Sequence, residues 1–183
     1  MKRSKTKKTE YAFISIKVTD YSVRSDAGIN RQLIGSPRYV DDESEPVHQF
    51  DTKLEITGTC IDPDDRAGHR FEINMFGESD VIERMQRISD LHKMDDDGEH
   101  LYREYRGKTY PVYAQPPPVA YLEKIRGEDR WVASVWVTPH MVTDALIILS
   151  GHKQVYLSLH EIKVNRQRRI LNLSVQTANP TDE

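Results

Sequence analysis

Residues 131–175 admit few ways of folding, because their hydrophobic period changes twice. Trp131, Val132, Ala133, Val135, Trp136 and Val137 form an apolar, β-branched and aromatic run of strand length. Thr138-Pro139 interrupts it: threonine suits an N-cap, and proline has the backbone angle of the first helical position. Met141, Val142, Ala145, Leu146 and Leu149 then recur at helical spacing, and Gly151 is placed to stop the helix. Two strands follow, over 155–164 and 170–175, around the polar turn Asn165-Arg166-Gln167-Arg168-Arg169. This unit holds the densest apolar material in the chain and is the expected core.

The remainder is read around it. Residues 11–23 form a first strand whose alternation changes midway, which predicts a bulge or a bend. Residues 24–47 read as a long polar loop, with Gly28, Gly35, Pro37 and Pro46 and the acidic run Asp41-Asp42-Glu43-Ser44-Glu45. A second strand over 50–61 sets Leu54, Ile56 and Gly58 on one face. Turn chemistry from Asp62 to Gly68 then leads into the alternation of Phe71, Ile73 and Met75, so a hairpin is expected. Ser79 caps a predicted helix whose buried face is Val81, Met85 and Ile88. Residues 94–118 read as an acidic, tyrosine-rich and proline-rich connector, and 121–125 as a further strand.

Residues 54–88 and 122–149 share one order: strand, turn, strand, helix. Val81, Met85 and Ile88 correspond to Val142, Leu146 and Leu149, and Phe76 corresponds to Val137. The pattern raises an internal ββα duplication. The expected fold is a β-rich α+β domain over 10–177, with tails at 1–9 and 178–183. It has about seven or eight mostly antiparallel strands, as a sheet, small barrel or sandwich, with two packed helices.

Charge and cysteine content narrow the function classes. Lys2, Arg3, Lys5, Lys7 and Lys8 precede residue 9 in a chain of net charge −3, so the body behind this basic tail is acidic. That layout argues against a protein that coats nucleic acid indiscriminately. No aromatics interleave the tail lysines, which reads as a solubilising leader. The lone Cys60 forbids an intrachain disulfide and implies a reducing compartment. No apolar run approaches the roughly 18 residues of a membrane span, and no signal-peptide pattern follows the basic start. The expected location is cytoplasmic, with no membrane partner.

Catalytic and metal-binding patterns are incomplete. Asp95, Asp97, Gly98 and Glu104 match the third, fifth, sixth and twelfth positions of a calcium loop, but Lys93 occupies the first and His100 the eighth. Asp64, Glu72 and Glu55 outline a divalent-metal nuclease site, but Asn74 stands where such a site needs lysine. The histidines lack ligand spacing, and Cys60 has no basic neighbour in sequence. No catalytic residue, metal ligand or cofactor site is therefore assigned, and an enzyme is the minority reading.

Binding patterns are fuller. Tyr102, Tyr105, Tyr110 and Tyr113, with Arg103 and Arg106, offer amphipathic contact area of the kind found in protein interfaces. The expected function is a non-catalytic adaptor or scaffold-type module with a protein partner. Its main rival is a nucleic-acid-binding module of the OB kind. That module would use the cationic tip Lys163, Arg166, Arg168 and Arg169, with Tyr121, Trp136 and Tyr156 as an aromatic face. A divalent-metal hydrolase is third. Oligomeric state is not legible in the sequence.

Overall fold

The computed structural model describes residues 9–29, 48–78, 87–164 and 167–182. The strands are β1 (Thr9–Ile29), β2 (His48–Asp62), β3 (Arg70–Gly77), β4 (Tyr102–Tyr105), β5 (Lys108–Pro111), β6 (Ala120–Lys124), β7 (Arg130–Val137), β8 (Tyr156–Val164) and β9 (Gln167–Gln176). Seven of them close a barrel in the order β1–β2–β3–β7–β6–β9–β8, with β8 returning to β1. The pair β3–β7 is parallel and the other barrel pairs are antiparallel. β4 and β5 form a separate two-stranded sheet.

Alternation fills the interior. Ile14 and Ile16 of β1, Leu54 and Ile56 of β2, and Phe71, Ile73 and Met75 of β3 are buried; so are Ala133 and Val135 of β7 and Leu157 and Leu159 of β8. Removing each such large side chain from water contributes about 1.5–3 kcal/mol. The expected irregularity in β1 is present as register shifts at Ser15/Ile16 and Val18/Asp20. Such bulges bend a strand and raise its twist, which a small barrel needs in order to close. Gly58 lies opposite the second bend. A Cβ there would stand 2.5 Å from Ile16 Cγ2 and 2.6 Å from the Lys17 carbonyl oxygen, so β1 crosses β2 closely only because the side chain is absent.

The helix α1 (Pro139–Gly151) forms as its sequence predicts: Thr138 Oγ1 accepts from the Met141 N–H at 3.4 Å, and Val142, Ala145 and Leu149 are buried. Met141 is exposed and Leu146 only half-buried. The helix packs where β3 ends, with Val142 close to Gly77. It stops at Gly151 because His152 turns extended.

Three expectations are corrected. The 24–47 loop is too long at its start, since β1 continues to Ile29 and pairs with β2 from His48 onward; residues 30–47 lie outside the described residues. Alternating small and polar residues, although poor core formers, satisfy each other's backbone across this ribbon. Of the expected folds the small β-rich barrel is the one formed, while the two-helix α+β expectation gives way to one α-helix among the described residues. Most of the first predicted helix (79–86) lies outside them, and its last core residue, Ile88, is exposed at the start of a 3-10 turn (Ile88–Leu91). The strands matched between the two ββα segments lie side by side in the barrel. β3 and β7 are parallel neighbours, with Phe76 opposite Trp136 and Gly77 opposite Val137, one residue away from the sequence correspondence.

Cys60 is buried, and its Sγ donates to the Asp62 carbonyl at 3.1 Å. Burial pushes the thiol up to about 11. A disulfide reagent at pH 8 should leave it unreacted in the native protein and label it fully after denaturation; rapid native labelling would contradict its place in the core. Among the described residues no helix is long and apolar enough to cross a membrane.

Candidate functional site

The helix covers one end of the barrel, and charged groups close the other. Glu161 follows Leu157 and Leu159 in the inward phase of β8, so a carboxylate is carried into the interior and is only 2% exposed. Arg66, at the end of the 3-10 turn (Asp64–Arg66), meets it with both guanidinium nitrogens, Nη2 to Oε1 at 3.3 Å. Arg168 of β9 donates to the same Oε1. The Arg66 and Arg168 guanidinium carbons lie 4.8 and 5.1 Å from the Trp131 ring centroid. Trp131 also stacks on Phe71 at 5.9 Å and donates its indole N–H to His69 Nδ1 at 3.2 Å. Two guanidiniums on one carboxylate leave an excess positive charge, which the indole face complements. A groove beside the cluster is lined by Tyr11, Phe13, Asp62, Arg66, Lys163 and Arg168, among others. Its mixed signs give no anion-selective site.

Of the predicted cationic tip, Arg168 and Lys163 are held in ion pairs. Arg168 is turned to Glu161, and Lys163 pairs with Glu10 at 2.9 Å. Arg169 donates to Gln167 at 3.2 Å and keeps a buried Nε without a partner. Arg166 lies outside the described residues. Sequence proximity gathered these cations, but the β8–β9 pairing brings the inward Glu161 beside Arg168. Arg66 and Glu161 were missed as a pair. The available signal was a lone acid in the inward phase of an apolar strand.

The tyrosines are exposed, as an interface requires, but do not form one surface. β4 and β5 join through Arg106 and Gly107, both at positive φ (50° and 69°), as a two-residue hairpin turn demands. Tyr102 pairs with Pro111, Arg103 with Tyr110 and Tyr105 with Lys108. Alternation therefore puts Tyr105, Tyr110, Arg103 and Lys108 on one face and Tyr102 on the other. Tyr102 and Tyr113 surround His92, which stacks on His100 at 4.1 Å. Arg106 lies 5.1 Å from the Tyr105 ring.

A third aromatic surface lies on the barrel wall. Lys53, Phe76 and Trp136 occupy one row across β2, β3 and β7. Phe76 stacks on Trp136 at 5.4 Å, with the Lys53 ammonium 5.6 Å from the Phe76 ring. Trp136 remains 53% exposed, and Val119 and Tyr121 are exposed on the neighbouring strand edge. Of the aromatic face expected from sequence, Tyr121 and Trp136 belong here, whereas Tyr156 is buried. Glu55 stands in the next row, hydrogen-bonded by Lys53 and Ser22; the Lys53 ammonium holds its carboxyl below the usual range.

Among the described residues, Asp95 and Glu72 of the acidic stretches are engaged internally. Asp95 Oδ1 accepts from the Asp97 and Glu99 N–H groups at 3.0 and 2.9 Å, a local turn. Glu72 meets Arg70 and Arg130 at 3.0 and 3.2 Å. Among the described residues no group of three or more His, Cys, Asp or Glu is placed to hold a metal ion. Comparison of the chain with protein-family models, with curated proteins and with solved structures finds no match.

Proposed function

We propose that the protein is a non-catalytic interaction module that binds a protein partner through the Phe76–Trp136 wall of its barrel. The carrying observation is a half-exposed tryptophan stacked on a second aromatic ring, on the parallel β3–β7 pair, where neither ring is needed to fill the core. Strand-borne side chains are held more rigidly than loop-borne ones. An aromatic centre with Tyr121 and Val119 beside it and Lys53 and Glu55 around it has the anatomy of an interface: an apolar anchor within a polar rim. Arg168 and Lys163 are engaged in internal ion pairs, which leaves the OB-like alternative less support at those two positions.

Affinity capture from lysate of the source cells, after nuclease treatment, tests this. The wild-type chain is expected to retain a discrete protein. Trp136→Ala should weaken that binding by about 30-fold or more, as an anchor residue does, while leaving melting nearly unchanged because the side chain faces out. Capture that disappears with nuclease, or that is indifferent to Trp136, overturns the reading.

The nucleic-acid alternative keeps one observation. Arg103, Lys108, Tyr105 and Tyr110 share a hairpin face, with Arg106 against Tyr105. It requires salt-sensitive binding of single-stranded DNA that is lost in Tyr105→Ala with Arg106→Ala.

A further inference from the structure

β1 is longer than the barrel that contains it. β8 accompanies it from Thr9 only to Lys17, and the Val18 N–H then donates to the Val155 carbonyl at 3.0 Å. Beyond the bulge at Val18/Asp20, β1 continues to Ile29 in unbroken register with β2 alone. Among the described residues, its other edge carries no strand. Edges of this kind are normally blunted by proline, short length, a bulge or charges, and the charges on this one, Arg24 and Asp26, are of opposite sign and self-complementary. Here one bulge lies at the base, and the Tyr21 N–H is occupied by Asp20 Oδ1 at 2.9 Å. From Ser22 to Ile29 neither proline nor a bulge intervenes. An open edge of this length pairs with another strand, through main-chain hydrogen bonds.

We infer that the occupant is a second copy of this chain, paired antiparallel through β1 about a two-fold axis at Ser25. The strand sequence selects that axis. An axis normal to the sheet keeps each side chain on its own face, so the two-fold must pass through a residue position. Centred on Ser25, the pairing sets Arg24 opposite Asp26 of the second copy, twice, with Val23 opposite Ala27 and Tyr21 opposite Ile29. Centred on Arg24 it opposes two arginines, and centred on Asp26 two aspartates, both unfavourable. Arg24 and Asp26 already form an exposed ion pair at 2.7 Å along one strand. The Ser25 register extends this pair into an alternating square of four charges, within a continuous β2–β1–β1–β2 sheet. Arg24 pairs with Lys53, so this edge adjoins the rim of the Trp136 wall, but Trp136 itself lies on β7, three strands away, and each reading can fail alone.

Sedimentation equilibrium of the full chain tests it, with expected concentration-dependent dimers. Arg24→Asp places carboxylates opposite carboxylates, and Asp26→Arg places guanidiniums opposite guanidiniums. Each should weaken self-association about tenfold. An equimolar mixture of the two variants should form a heterodimer at least as tight as the wild-type dimer, because each acidic edge then faces a basic one. Charge pairing within a single strand cannot produce that recovery. A chain that stays monomeric, a dimer indifferent to both substitutions, or a mixture no tighter than its components overturns the inference. So does an edge that binds only an extended segment of a different protein.

Discussion

Glu161→Ala is expected to lower the unfolding free energy by about 3–5 kcal/mol, the cost of removing one partner from a buried ion cluster. Arg66, buried against Trp131, and Arg168 both direct their guanidiniums at this carboxylate. Alanine strands two cations at the barrel end and opens a cavity beside the indole. Denaturant titration reads the effect as a shifted midpoint with an unchanged slope. Glu161→Gln preserves the shape and part of the hydrogen bonding but leaves both guanidiniums uncompensated, so it should fall between wild type and alanine. The decisive comparison is Arg66→Met with Glu161→Leu and Arg168→Leu. Apolar replacement of a whole buried cluster is often neutral or stabilising. A triple variant as stable as wild type would assign the cluster to fixing how the β2–β3 connection meets the β8–β9 hairpin, rather than to net stability. A triple variant as weak as Glu161→Ala would assign it to stability directly.

Gly58→Ala is expected to cost about 2–3 kcal/mol, toward the upper end of overpacking effects. The added Cβ meets the Lys17 carbonyl oxygen at 2.6 Å, and backbone cannot swing aside as a side-chain tip can. Gly77 is the control. A Cβ there meets Val142 Cγ2 at 3.0 Å, which the side chain can relieve, and backbone only at 3.3 Å (Pro139 Cα), against 2.6 Å at Gly58. Gly77→Ala should therefore cost clearly less. Equal losses at both sites would show that the bend of β1 across β2 does not depend on the close approach at Gly58. Denaturation midpoints of the two variants decide this without any knowledge of the ligand.

Some of this was legible before the fold was known. The Trp131–Val137 strand, the Thr138-Pro139 cap and the buried Val142, Ala145 and Leu149 follow from local period and cap chemistry. So do the inward Leu54 and Ile56 and the bend in β1, because a bulge breaks alternation within the strand itself. The exposure of the tyrosines was not legible, since their composition suits an interface and a cover over the sheet equally. Nor was their division between two hairpin faces. It depends on the Arg106-Gly107 turn fixing which residues pair, a one-residue matter that composition does not reveal.

The sequence by itself determined a β-rich chain with one well-specified helix, because strand and helix periods and caps are short-range properties. Only the tertiary structure decided closure into a barrel and the parallel β3–β7 seam that sets Phe76 against Trp136. It also decided the fate of the arginines at the last turn. Arg66 and Glu161 are far apart in the chain yet bonded at the barrel end, and long-range electrostatics leave no periodic trace. Of the tip that looks free and cationic in one dimension, Arg168 is turned inward to Glu161 over Trp131 once β8 and β9 pair. Among the described residues, the two surfaces on which the proposals rest, the aromatic wall and the edge of β1 that carries no strand, exist only once the strands have paired.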